Sequence, residues 1–110
     1  MNLIPGIVGD GVFDGDGITL PLPDMALTKG RKITYGVRPE HLVLADQGLA
    51  VSVVVVEPTG SETHLVVRAA SQELTAVFRE RHGFAPGQQL HLMPLPGMVH
   101  LFDTDTGERI

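Results

Sequence analysis

The chain has no cysteine and no tryptophan, a single tyrosine and four phenylalanines. Without cysteine there can be no disulfide framework and no thiolate metal site. The lack fits a reducing compartment. With aromatics at 5 %, the core must be built from aliphatic side chains. No apolar run approaches the ~20 residues that span a bilayer, and the start carries no basic segment before Pro5 and Gly6. The chain is therefore read as soluble and intracellular. Positive charge is also scarce. Eight Lys and Arg face thirteen Asp and Glu, for a formal net charge of −5. The one basic cluster, Lys29-Gly30-Arg31-Lys32, is too short to reverse that balance. Recognition of nucleic acid through its phosphates is disfavoured, and so is a strand-binding groove, which needs stacking aromatics. What remains is one domain of 110 residues with 43 % hydrophobic content, enough for a single core.

That core is organised around residues 51–67, VSVVVVEPTGSETHLVV. A β-branched run climbs to Glu57, breaks at Pro58-Thr59-Gly60-Ser61 and resumes at Thr63. This predicts two strands and a tight connection, with Gly60 free to take φ > 0. Leu49, Val51, Val53 and Val55 share one face of the first arm. Ala50, Ser52, Val54 and Val56 share the other. Both faces are largely apolar, which predicts a central strand covered on both sides. The second arm sets Thr63, Leu65 and Val67 against the wetter His64, Val66 and Arg68.

Around this hairpin the chain reads as short strands between turns. Residues 1–8 suggest an edge strand, because proline is tolerated there. Residues 9–17 alternate Gly and Asp around Val12-Phe13, turn chemistry flanking a very short strand. Residues 18–23 are extended. Residues 24–32 read as a loop with room for one helical turn at 25–27. Ile33, Tyr35 and Val37 alternate with Lys32, Thr34 and Gly36 in a half-buried strand. Pro39-Glu40-His41 suits one helical or 3₁₀ turn. A reversal is expected at Asp46-Gln47-Gly48. Further strands are expected over 73–79, 89–95 and 99–102, with a polar stretch at 80–83 and a polar tail at 103–109. Eight or nine strands at this spacing predict an all-β fold, a sandwich or small barrel. Apolar residues also stand on the second face of several strands: Val54, Val56, Val66, Val77, Met93 and Leu95. A barrel buries one face of each strand. The second-face residues therefore need a cover, either the N-terminal residues 1–23 or another subunit.

Catalytic motifs are missing. There is no phosphate-cradling G-x-x-x-x-G-K-[ST] and no G-x-S-x-G. Histidines 41, 64, 82, 91 and 100 form no H-x-x-x-H pair and read as ordinary surface or edge residues. Asp10, Asp14 and Asp16 resemble the start of a calcium loop, but Met25 stands where the loop's bidentate Glu belongs, so they read as an Asp/Gly turn. Residues 59–63 offer consecutive N–H groups and three hydroxyls, which could cradle an anion. The plainer reading is a turn whose hydroxyls serve its own backbone. Arg38 and Glu40 could pair across Pro39, at little gain on a surface.

Three segments together resemble a known family: Gly36-Val37-Arg38-Pro39-Glu40-His41-Leu42, then Val56-Glu57-Pro58-Thr59-Gly60-Ser61-Glu62-Thr63, then His100-Leu101-Phe102-Asp103 with Thr106-Gly107-Glu108-Arg109. In that order they are similar to the C-terminal regulatory region of the ATP-binding subunits of carbohydrate-type ABC importers, the maltose and glycerol-3-phosphate class. Met1-Asn2-Leu3 resembles the stretch where this region follows the ATPase domain. The resemblance implies a single TOBE-type, OB-like regulatory domain over residues 1–110. Its N-terminal strands and loop would take residues 1–30, and its main barrel of short antiparallel strands 31–110. It implies no catalytic, cofactor-binding or metal residue in this stretch. ATP and Mg would belong to an ATPase domain outside it, and the chain by itself is expected neither to bind nor to hydrolyse ATP. Arg38, Pro39, Glu40, His41, Gly60, Ser61, Glu62 and Thr63 carry over as structural or interface positions. The implied partners are a second copy of the subunit, the ATPase domain, the membrane permease subunits and a regulatory protein. The implied location is cytoplasmic, peripheral to the inner membrane through the permease. Other TOBE-type domains bind oxyanions such as molybdate, which makes an oxyanion-binding module the alternative.

Overall fold

A computed structural model describes residues 1–79 and 83–110. The polar stretch at 80–83 and the reading of His82 thus fall largely outside the described residues. The chain folds as two antiparallel sheets. The first has the order β3-β2-β1-β4-β9 and the second β7-β6-β5-β8. In chain order the strands are β1 (Asn2–Val8), β2 (Val12–Asp14), β3 (Thr19–Pro21) and β4 (Lys32–Val37), then a 3₁₀ turn (Pro39–His41). They continue with β5 (Leu42–Pro58), β6 (Thr63–Ala69), β7 (Gln72–Phe78), β8 (Gln89–Pro94) and β9 (Val99–Asp103). The architecture is all-β and consistent with a small OB-like fold. Among the described residues the two sheets do not merge into one closed ladder.

The alternation of apolar residues positions these strands as it should. Ile33, Tyr35 and Val37 of β4, Leu65 and Val67 of β6, and Leu74, Ala76 and Phe78 of β7 are all buried in one core. Ile4, Val8, Phe13 and Leu20 join them from β1, β2 and β3, which share the sheet of β4, and Ile18 joins from the turn before β3. The Phe13 and Tyr35 rings lie 4.9 Å apart, and the Tyr35 hydroxyl donates to the Pro21 carbonyl at 2.7 Å.

Several expectations are corrected. β1 is an inner strand, lying between β2 and β4. Its pairing with β2 reaches only Ile7 and Val8, so Pro5 sits where the strand has a partner on one side alone. That local edge tolerates the missing N–H. The N-terminal segment supplies the inner layer of the core and leaves Val54 on β5 exposed. Residues 25–27 form no helical turn. Leu22 and Leu27 both pack on the core, which draws that loop across the surface.

The largest differences lie in β5. It runs from Leu42 to Pro58 without reversing at Asp46-Gln47-Gly48. Leu44 and Leu49 both align with Leu92, so residues 45–48 loop out and the strand resumes in its original direction. Gly48 has φ +141°, and a Cβ there would stand 2.7 Å from the Leu92 carbonyl oxygen. A second bulge leaves Val54 unpaired between Val53↔Val67 and Val55↔Val66. The alternation therefore slips by one. Val54 and Val55 both face outward, and Val56 turns in to pack on the core. β5 is central in its sheet, but its outer face is not covered. The polar tail also folds back. The Ile110 N–H donates to the Leu101 carbonyl at 2.9 Å, and Phe102 bridges to Arg109.

Candidate functional site

Residues 59–62 close the β5–β6 hairpin. The Thr59 N–H donates to the Glu62 carbonyl at 2.8 Å, and the Thr59 hydroxyl reaches the same oxygen at 3.2 Å. Gly60 has φ +83°, the left-handed backbone that a tight hairpin requires at its first central residue. The Thr59–Glu62 pair is hydrogen-bonded, so Pro58↔Thr63 is the next, non-bonded pair. The N–H that Pro58 lacks would have pointed away from β6, and the ladder loses nothing. The Ser61 N–H donates to the Thr59 carbonyl at 3.1 Å. Two of the amides that could cradle an anion are thus used within the turn.

The second motif segment forms the 3₁₀ turn between β4 and β5. The His41 N–H donates to the Arg38 carbonyl at 2.9 Å, and the His41 carbonyl accepts from the Leu95 N–H at 2.8 Å. These bonds tie the turn to the end of β8. Arg38 and Glu40 are exposed and Pro39 is half-buried. Arg38 and Glu40, which could have paired across Pro39, form no ion pair. Glu40 is nonetheless held below the usual carboxylate range. The main cause is a hydrogen bond from its own backbone N–H, with His41, Arg38 and Arg79 adding positive field. The His41 Nδ1 is enclosed and has no partner among the described residues.

The two segments meet at the C-terminal end of β7. A cleft of about 650 Å³ opens there, with Glu40, His41 and Val43 on one side and Val77 and Arg79 on the other. Arg79 Nε donates to Glu62 Oε2 at 3.4 Å, while Glu62 Oε1 lies 3.4 Å from His64 Nε2. Arg79 is thus the shared neighbour of Glu40 and Glu62. Thr63 pairs with Phe78 one residue before it. Gly60 and Ser61 remain at the exposed tip, and Arg38 stays at the outer rim. Sequence reasoning missed Arg79, because an arginine ending an alternating strand carries no local mark of what it will face. His64 and His91 are exposed as read. No group of three or more His, Asp or Glu among the described residues is placed to hold a metal ion. A guanidinium bonded to one carboxylate and adding field at a second is contact chemistry. It offers no nucleophile and base in hydrogen-bond reach of each other.

Comparison with known proteins assigns both parts of the chain. The family model described as the TOBE domain matches residues 35–102, more than half of the chain, and the MalK OB fold domain matches residues 1–42. An uncharacterised ABC transporter ATP-binding protein of Sinorhizobium fredii is 44 % identical over 100 % of this chain and 31 % of its own length. A putative ATP-binding protein of Brucella abortus is 42 % identical over 97 % of the chain and 31 % of its own length. The sn-glycerol-3-phosphate import ATP-binding protein of Yersinia pestis is 34 % identical over 100 % and 32 % respectively. The chain thus spans about a third of the length of these relatives. With its two motif segments placed as described, and matches running from the first strand to the last, the chain belongs to the TOBE domain family.

Proposed function

We propose that this chain is the regulatory and dimerisation domain of the ATP-binding subunit of an ABC importer for sugars or related solutes. One observation carries the reading. The match to the MalK OB fold and TOBE domains extends across the chain, and relatives covering all of it are ABC transporter ATP-binding proteins, one of them an sn-glycerol-3-phosphate import ATP-binding protein. The surface supports it. Glu40 and His41 line a contact-type cleft beside Arg79, which bonds Glu62, and apolar side chains stand exposed on outer faces: Leu3 and Ile7 on β1, and Val54 and Val55 on β5. Such strips suit a second copy of the chain. No helix among the described residues is long and apolar enough to cross a membrane. A position in the cytoplasm, held at the membrane by permease subunits, follows from the proposal. ATP hydrolysis would then lie in an ATPase domain beyond this stretch, with this domain transmitting signals to it. The sequence upstream of the Met1 codon tests the reading. An ATP-binding domain in the same reading frame is the predicted result. A stop codon or an unrelated domain directly upstream would overturn it.

A further inference from the structure

Asn2 is the polar residue buried among the described core positions. It lies on the inner face of β1, in step with Ile4 and Val8. Its Nδ2 donates to the Thr75 carbonyl at 2.8 Å, and its Oδ1 accepts from the Thr75 N–H at 2.8 Å and from the Thr75 hydroxyl at 3.2 Å. The partner belongs to the other sheet, 73 residues away. Beside it, Gln72 Nε2 donates to the Leu3 carbonyl at 3.1 Å.

The pairing of β7 explains why Thr75 is the point of attachment. β7 is the edge of its sheet, paired with β6 alone. The turn at Ala70-Ser71 makes Ala69↔Gln72 the closing pair of a two-residue hairpin, which is hydrogen-bonded. Counting from there, Leu74, Ala76 and Phe78 bond to β6. Glu73, Thr75 and Val77 direct their N–H and C=O groups away from it. A row of outward groups of this kind invites another strand. Asn2 meets the middle position of the row with one donor and one acceptor, the same pair that a neighbouring strand would present.

We propose that Asn2 acts as a one-residue substitute for a strand on the free edge of β7. It fastens the first sheet to the second where no ladder joins them, and it blocks strand addition by a second copy of the chain. A primary amide is needed for this. Alanine provides neither group. Aspartate at neutral pH provides the acceptor alone and sets a carboxylate against the Thr75 carbonyl oxygen.

Amide hydrogen exchange on the purified chain, residue by residue, tests the fastening. In the wild type the Thr75 amide should exchange at least about tenfold more slowly than the outward amides of Glu73 and Val77. In Asn2→Ala its exchange should quicken by about tenfold or more, with Leu74 and Ala76 remaining slow. Equal exchange at Glu73, Thr75 and Val77 in the wild type would overturn the proposal, and that comparison needs no variant to fold. Sedimentation tests the blocking role. Asn2→Ala should associate at concentrations where the wild type is monomeric, and unchanged sedimentation would refute that role.

Discussion

Gly60 and Tyr35 show what single side chains decide in this fold. At Gly60 nothing lies within 4 Å of the position a Cβ would take, so a Cβ there meets no neighbour. The constraint is the backbone, at φ +83°, which a β-branched residue adopts only under strain. Gly60→Val should lower stability by roughly 1–3 kcal/mol, visible as a lower thermal midpoint. An unchanged midpoint would mean that the turn can be made another way. Tyr35 is constrained by burial, which pushes its phenol well above the usual value. The folded state therefore keeps the proton to a higher pH than the unfolded chain, whose phenol ionises near ~10. The stability this gives is intact below pH ~10 and is lost as the pH rises beyond it. Tyr35→Phe removes the dependence, and it also removes the bond to Pro21, at about 1 kcal/mol near neutral pH. The stability curves of wild type and variant should converge in alkali. Tyr35 is the one tyrosine in the chain, so tyrosinate absorbance follows its ionisation without interference.

At the scale of the element, β5 separates what its sequence discloses from what it does not. Its β-branched run, the break at Pro58 and the resumption at Thr63 were enough to place the hairpin. Period-two alternation likewise placed the buried residues of β4, β6 and β7. Neither bulge was legible. A bulge changes pairing without changing composition, and whether Val54 is skipped depends on β6, not on its own neighbours in the chain. The Asp46-Gln47-Gly48 signal was real as punctuation. Its outcome, a bulge and not a reversal, was set by Leu44 and Leu49 both meeting Leu92. The meeting of Glu40 and Glu62 at Arg79 was hidden for the same reason, because it depends on how β7 ends beside the 3₁₀ turn. A pair of variants tests the slipped register. Val55→Ser should change stability by no more than about 0.5 kcal/mol, as at an ordinary surface position. Val56→Ser, which loses apolar contact with the core, should cost about 1 kcal/mol or more. Strict alternation from Val51 predicts the reverse order, so thermal melts of the two variants decide between the registers.

At the scale of the whole molecule, the two sheets share one core but leave apolar surface on their outer faces. Leu3 is 53 % exposed, Ile7 41 %, Val54 36 % and Val55 38 %. No segment among the described residues covers them. The N-terminal residues, expected to cover second-face residues such as Val54, are committed to the core through Ile4, Val8 and Phe13. A regulatory domain that meets its own copy in a larger assembly would account for this surface. Taken alone, such a contact should be weak, because it is of modest size and lacks the rest of the subunit. An oxyanion-binding module would instead associate when its anion binds. The most direct test is sedimentation equilibrium of the chain over a concentration series, with and without molybdate. The account predicts a weak monomer–dimer equilibrium that molybdate leaves unchanged. A strict monomer at the highest soluble concentration, or association that appears only with the anion, would contradict it.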